Sequence, residues 1–180
     1  KETSIKSTSG VFVCPASSPT ECIEYKGSST PNTLDHIEVT GLDIGTDYIY
    51  EMYFDYQGER YVYPKTTFST LPMDDKAYTF YLYGDTRSGH SRHRKLALLM
   101  DDNAAKDKSK FVLHTGDFVN HGYDWDQWAQ TYFWPAGNLL DSLPIFTAVG
   151  NHELNQKLYY DYFKMPNNSS WYHFRQGSAD

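Results

Sequence analysis

Apolar residues in the second half of the chain gather into three strand-like runs, at positions 78–83, 111–115 and 145–149. Each run ends in a glycine followed by a side chain that can offer an oxygen: Gly84-Asp85, Gly116-Asp117 and Gly150-Asn151. Positions 85, 117 and 151 are almost evenly spaced, as successive strand–helix units require. In a parallel sheet the three strand ends would meet on one edge, where open α/β sheets place their sites.

Between and after these runs the periodicity turns helical. A first helix is predicted over 90–104, with Leu96, Leu99 and Met100 on one face. A second is predicted over 124–133, where Trp125, Trp128, Tyr132 and Phe133 recur at helical spacing and read as core. A third spans 154–163, and 171–174 reads as a final short strand.

Upstream, residues 1–72 read as all-β. Short alternating runs at 11–13, 22–25, 36–39, 48–54 and 61–63 are separated by turn-forming residues, as in a sandwich. The segment Gly41-Leu42-Asp43-Ile44-Gly45-Thr46-Asp47-Tyr48 resembles the loop before a late strand of fibronectin type III domains. There a tyrosine hydroxyl bonds back to the loop backbone, a part Tyr48 would take. The stretch 70–76, with Pro72 and the acidic pair Asp74-Asp75, reads as the linker, and the segment between the domains is assigned to 73–76. The domains are then 1–72, a β sandwich beginning inside its first strands, and 77–180, an α/β domain.

Composition narrows the partners. The formal charge of −7 argues against binding a nucleic-acid backbone. It still permits a small anionic substrate, because bound metals supply local positive charge. No apolar run approaches the roughly 20 residues that span a membrane. Cys14 and Cys22 flank a turn-rich loop and could close it as a disulfide in an oxidising compartment; two reduced cysteines are the alternative. Asn167-Asn168-Ser169 and Asn168-Ser169-Ser170 fit the N-glycosylation pattern. These features point to a secreted or extracytoplasmic protein.

The strand ends also carry chemistry. One Asp can bridge two metal ions, and paired ions can clamp the attacking and leaving oxygens of a phosphoryl transfer. An Asn adds a ligand without adding charge, and a His beside it can act as a general acid. With their order and spacing, Gly84-Asp85, Gly116-Asp117 and Gly150-Asn151-His152-Glu153 resemble the first three motifs of the calcineurin-like metallophosphoesterases. With the upstream sandwich, the layout resembles the purple acid phosphatase-like group. The resemblance implies the first half of a metallophosphoesterase β-sandwich flanked by helices. It implies two divalent ions (Mn, Fe or Zn), with Asp117 bridging, Asp85 on one ion and Asn151 on the other. It makes His152 the acid and a phosphoester the substrate.

The sequence departs from the family pattern in three places. Where many members have Asp-x-His, this chain has Asp85-Thr86-Arg87. Arginine has no free lone pair for a metal, but its fork could hold a phosphate oxygen. Asn120 stands where purple acid phosphatases carry a tyrosine ligand, so a purple ferric centre is not expected. His90, His93, Asn120 and His121 lie near the motif loops as candidates for the missing ligand, whereas His114 reads as a packed core residue. Finally, no later histidine motif follows His152, so the chain reads as an excerpt of a longer protein. The alternative function is a catalytically incomplete extracellular module that self-assembles or takes a second chain to complete its domain.

Overall fold

Side chains alternate along β1 (Thr8–Pro15) and β3 (Asp47–Tyr56), and their antiparallel register sets Val11 opposite Met52 and Val13 opposite Tyr50. Strand alternation therefore puts Val11, Val13, Tyr48 and Tyr50 on one face. In the computed structural model, which describes residues 5–72, 77–153, 155–167 and 169–176, these residues build the core of the first of two units, Lys1–Met73. The second unit is Asp74–Asp180, and residues 73–76, assigned as linker, lie outside the described residues.

The first unit is one antiparallel sheet in the order β2 (Ile23–Lys26), β1, β3, β4 (Glu59–Val62), with β5 (Thr66–Ser69) also paired to β3. The fibronectin III-like reading expects two stacked sheets; among the described residues there is one. The predicted strand at 36–39 forms no ladder, and its Ile37 and Val39 pack as a loop on the sheet with Leu42. Side chains meet the polar groups of this region instead. Asp35 accepts from Ser9 Oγ at 2.7 Å and Ser28 N at 2.9 Å, and Tyr25 Oη donates to Thr40 O at 2.7 Å. Strand β5 had no sequence expectation. The Tyr48 hydroxyl does accept from Asp43 N at 2.8 Å, the bond back to the loop that its position suggested. Cys14 and Cys22 form a disulfide.

The second unit is built on a parallel sheet of β6 (Thr79–Tyr83), β7 (Ser109–His114) and β8 (Ile145–Thr147), in that order. Tyr83 pairs with His114, and His114 with Thr147, so the three strands end level. Helix α1 (His90–Asp107) buries His93, Ala97 and Met100, while Leu96 and Leu99 are 42% and 60% exposed. The packed stripe contains a histidine, which the hydrophobic pattern does not count, and this rotates the face away from the two leucines.

The second helical stretch begins at Asp124, whose carboxylate caps Asp126 N and Gln127 N. It runs through α2 (Trp125–Gln127), a π-helical turn (Trp128–Phe133) and α3 (Trp134–Ser142), past the predicted end at Phe133. A proline inside a helix supplies no N–H to the carbonyl four residues back. That carbonyl is Thr131 O, and His93 Nδ1 donates to it at 3.1 Å. Trp128 and Tyr132 are fully buried as expected, but Trp125 is 43% exposed.

Helix α4 (Lys157–Tyr162) is shorter than the predicted 154–163, whose Leu154 lies outside the described residues. The predicted strand at 171–174 forms no ladder. Its Phe174 stacks on Phe146 at 4.0 Å instead, extending across the sheet face away from α1. That face is apolar and partly open, with Phe80 and Leu82 lining a groove of about 610 Å³. Among the described residues no helix is long and apolar enough to cross a membrane.

Candidate active site

The ends of β6 and β7 continue into two loops that are stitched together. Asp85 N donates to Gly116 O at 3.0 Å, and Arg87 N to Asp117 O at 3.1 Å. Asp85 and Asp117 both take left-handed backbone conformations, with φ of 54° and 57°. For residues with a Cβ this costs about 1–3 kcal/mol and is found where surrounding bonds enforce it, often at functional sites. The neighbouring glycines follow from crowding. A Cβ on Gly116 would lie 2.6 Å from Gly150 N, and one on Gly150 would lie 2.2 Å from Asp117 N. The loop carrying Asn151 and His152 is thereby pressed against Asp117.

The side chains at this edge are in register. Arg87 Nε lies 2.8 Å from Asp85 Oδ1 and 3.6 Å from Asp117 Oδ2. Asp117 Oδ1 accepts from His152 N at 3.2 Å, which leaves Oδ2 as the oxygen facing Arg87. His152 Nδ1 lies 3.0 Å from Asn120 O. A carbonyl only accepts, so Nδ1 carries the hydrogen and Nε2 is the free ring nitrogen. Asn120 Nδ2 donates to Arg87 O at 3.2 Å, so Asn120 ties the loops together. Asn151 is exposed beside them.

Glu153, which carried no role in the sequence reading, is fully buried beneath these residues. It accepts from the amides of Asp117, Phe118, Val119 and Gly150. The only sequence signal for it was an acidic residue directly after Asn151 and His152.

The other histidines do not gather at the edge. His93 is buried against Thr131, His121 stacks on Tyr123, and His90 opens α1. His114 is packed as expected, stacked 3.8 Å from Phe118, with Nδ1 accepting from Gly116 N at 3.1 Å. Burial pushes its pKa down to about 3, and the nearby His93 adds to the shift. Burial lowers His93 as well.

Among the described residues no three His, Cys, Asp or Glu side chains converge as a ligand set. The donors that share the edge are the carboxylates of Asp85 and Asp117 and the amide oxygen of Asn151. Such oxygen donors suit a hard or borderline divalent cation. The donor chemistry therefore fits a metal, with Arg87 supplying positive charge at the same carboxylates.

A parallel sheet that delivers Asp, Asp and Asn-His at one edge is the frame of a metallophosphoesterase. Residues 78–179 match the calcineurin-like phosphoesterase family, and the chain belongs to it. No curated protein sequence matches the chain. Its fold is similar to that of the purple acid phosphatase PPD1 from yellow lupin (Lupinus luteus) seeds, with a TM-score of 0.69 and 12% identity. That match covers 90% of this chain and 36% of the lupin chain, so the chain spans about a third of that protein's length. A β-glucuronidase from Parabacteroides merdae aligns over 82% of this chain and 20% of its own, at 14% identity and a TM-score of 0.31, which is too low to carry an argument.

Proposed function

We propose that this protein hydrolyses phosphoesters with divalent metal ions held by Asp85, Asp117 and Asn151. The observation that carries this reading is the pair of left-handed aspartates at level strand ends, with His152 N bonded to Asp117 Oδ1. Bound ions would supply Lewis acidity toward the phosphoryl group, in the family's manner as a pair sharing Asp117. The chain's own residues do the rest. Asp117 Oδ1 is engaged by His152 N, and Asp117 would hold the ions through its remaining acceptor capacity. The Arg87 guanidinium, already turned toward both carboxylates, is in reach of a phosphoryl oxygen for a forked, charge-assisted bond. His152 holds its Nδ1 hydrogen on Asn120 O, which leaves Nε2 as the ring nitrogen that, when protonated, can give its proton to the departing alkoxide.

The disulfide supports a site of action outside the cytoplasm. The Tyr48–Asp43 bond supports a fibronectin III-like origin for the first unit. The test is metal content, measured by plasma mass spectrometry, alongside turnover of p-nitrophenyl phosphate and its bis-ester. Asp117→Asn should lose both together, by about 100-fold or more. Equal activity in wild type and variant would sink the mechanism. Absence of metal from both would turn the reading toward a non-catalytic module.

A further inference from the structure

We infer that Glu153 is a positioning residue that fixes Asp117, Asn151 and His152 relative to one another; what is positioned rests on the phosphoesterase reading above. Its Oε2 accepts from Asp117 N at 3.0 Å and Gly150 N at 2.9 Å, so a single oxygen spans the loops after β7 and β8. Its Oε1 accepts from Phe118 N at 2.9 Å and Val119 N at 3.3 Å, holding the chain that leaves Asp117. A carboxylate taken from water must have its lone pairs met, and these four amides meet them.

The placement has a consequence for the site. Asp117 sits in a backbone region that residues with a Cβ avoid, at φ 57°. Glu153 grips the amides of Asp117 and of the next residue, and so holds that conformation in place. Glu153 also belongs to the same turn as Asn151 and His152. Gripping Asp117 therefore brings His152 N to Asp117 Oδ1 at 3.2 Å, and Gly122 N closes on His152 O at 3.2 Å. A carboxamide cannot replace this carboxylate, because Gln offers one oxygen and sets an NH2 donor against amides that are themselves donors.

The experiment compares Glu153→Gln with Tyr159→Phe. The second variant removes a buried hydroxyl whose hydrogen bonds run to Thr147 and Ser169 and to none of the loop amides that Glu153 holds, and controls for loss of stability alone. Three readouts are taken: amide hydrogen exchange at residues 117–119 and 150, Mn²⁺ affinity by calorimetry, and kcat and KM for p-nitrophenyl phosphate. Glu153→Gln should speed exchange at those amides. It should weaken Mn²⁺ binding by about 10–100-fold and lower kcat more than KM. Tyr159→Phe should leave all three near wild type. If Glu153→Gln does not fold, Glu153→Asp, one methylene shorter, carries the same comparison. Wild-type Mn²⁺ affinity in the Glu153 variant, or equal weakening by Tyr159→Phe, overturns the inference. If the wild type takes up none of Mn²⁺, Fe²⁺ and Zn²⁺, the phosphoesterase reading fails and exchange alone decides: protection lost in the variant upholds the positioning role, and unchanged protection overturns it.

Discussion

Arg87 Nε donates to Asp85 Oδ1 across 2.8 Å, two residues apart on the same loop. The Asp85 side chain is 69% exposed, so the pair is screened by water and contributes little to stability, on the order of 0–1 kcal/mol. Arg87→Ala should therefore melt close to wild type. If the guanidinium clamps a phosphoryl oxygen, the same variant should raise KM by about 10-fold, the worth of one charge-assisted bond. Arg87→Lys should recover only part, because an ammonium cannot make the fork. Thermal melts beside steady-state kinetics separate the two effects; an unchanged KM in Arg87→Ala removes Arg87 from the site.

His152→Ala should keep its metal and slow turnover of alkyl phosphates by about 100-fold or more. The loss should shrink for p-nitrophenyl esters, whose leaving group needs no proton. A plot of log kcat against leaving-group pKa reads this directly: a steeper slope in the variant is expected, and parallel lines would remove His152 as the acid.

The Cys14–Cys22 bridge closes a loop with a sequence separation of 8. Constraint of so short a loop in the unfolded chain is worth about 2–3 kcal/mol. Cys14→Ser with Cys22→Ser should lower the urea midpoint of the N-terminal unit, followed by its tyrosine signal. The parallel-sheet unit should unfold as before.

The buried histidines predict acid sensitivity of the second unit. An unfolded histidine titrates near 6.5, whereas His114 in the fold is pushed down to about 3. Between those values the unfolded chain binds a proton that the native chain does not. Stability is therefore fully present above pH 6.5 and is lost as pH falls through that window. The slope is at most about 1.4 kcal/mol per pH unit for each such histidine. Urea titrations from pH 7.5 to 4.5 should show it, and His114→Phe should flatten it by one proton's worth. An identical slope in that variant would assign the acid sensitivity elsewhere.

What could be read from the sequence was local. Each strand of the parallel sheet is a short apolar run closed by glycine, and the chain shows both signals side by side. The readings that failed needed information from elsewhere in the fold. Leu96 and Leu99 look like core until His93, polar by type, turns out to occupy the packed stripe of α1. The helix predicted to end at Phe133 runs on through Pro135, and the side chain that donates to Thr131 O comes from 38 positions away. Residues 36–39 alternate like a strand, but side-chain bonds from Asp35 and Tyr25 settle their neighbourhood as a loop. Glu153 was hidden for another reason: its partners are backbone amides, which every residue but proline has and no sequence displays.

The wide turn at Trp128–Phe133 bears on how this chain can vary by inheritance. It sits between two packing surfaces, since Trp128 and Tyr132 face Phe118 and Phe163, while Leu139 faces Ala97, Met100 and Val112. A turn of this width takes up one residue more than an α-helical turn, so the extra residue is absorbed there and the flanking faces keep their directions. Replacing His93 would remove a donor to the Thr131 carbonyl inside that turn. Along this stretch a change of length is therefore absorbed at the wide turn and felt in α3, where each residue fixes which face meets Ala97, Met100 and Val112.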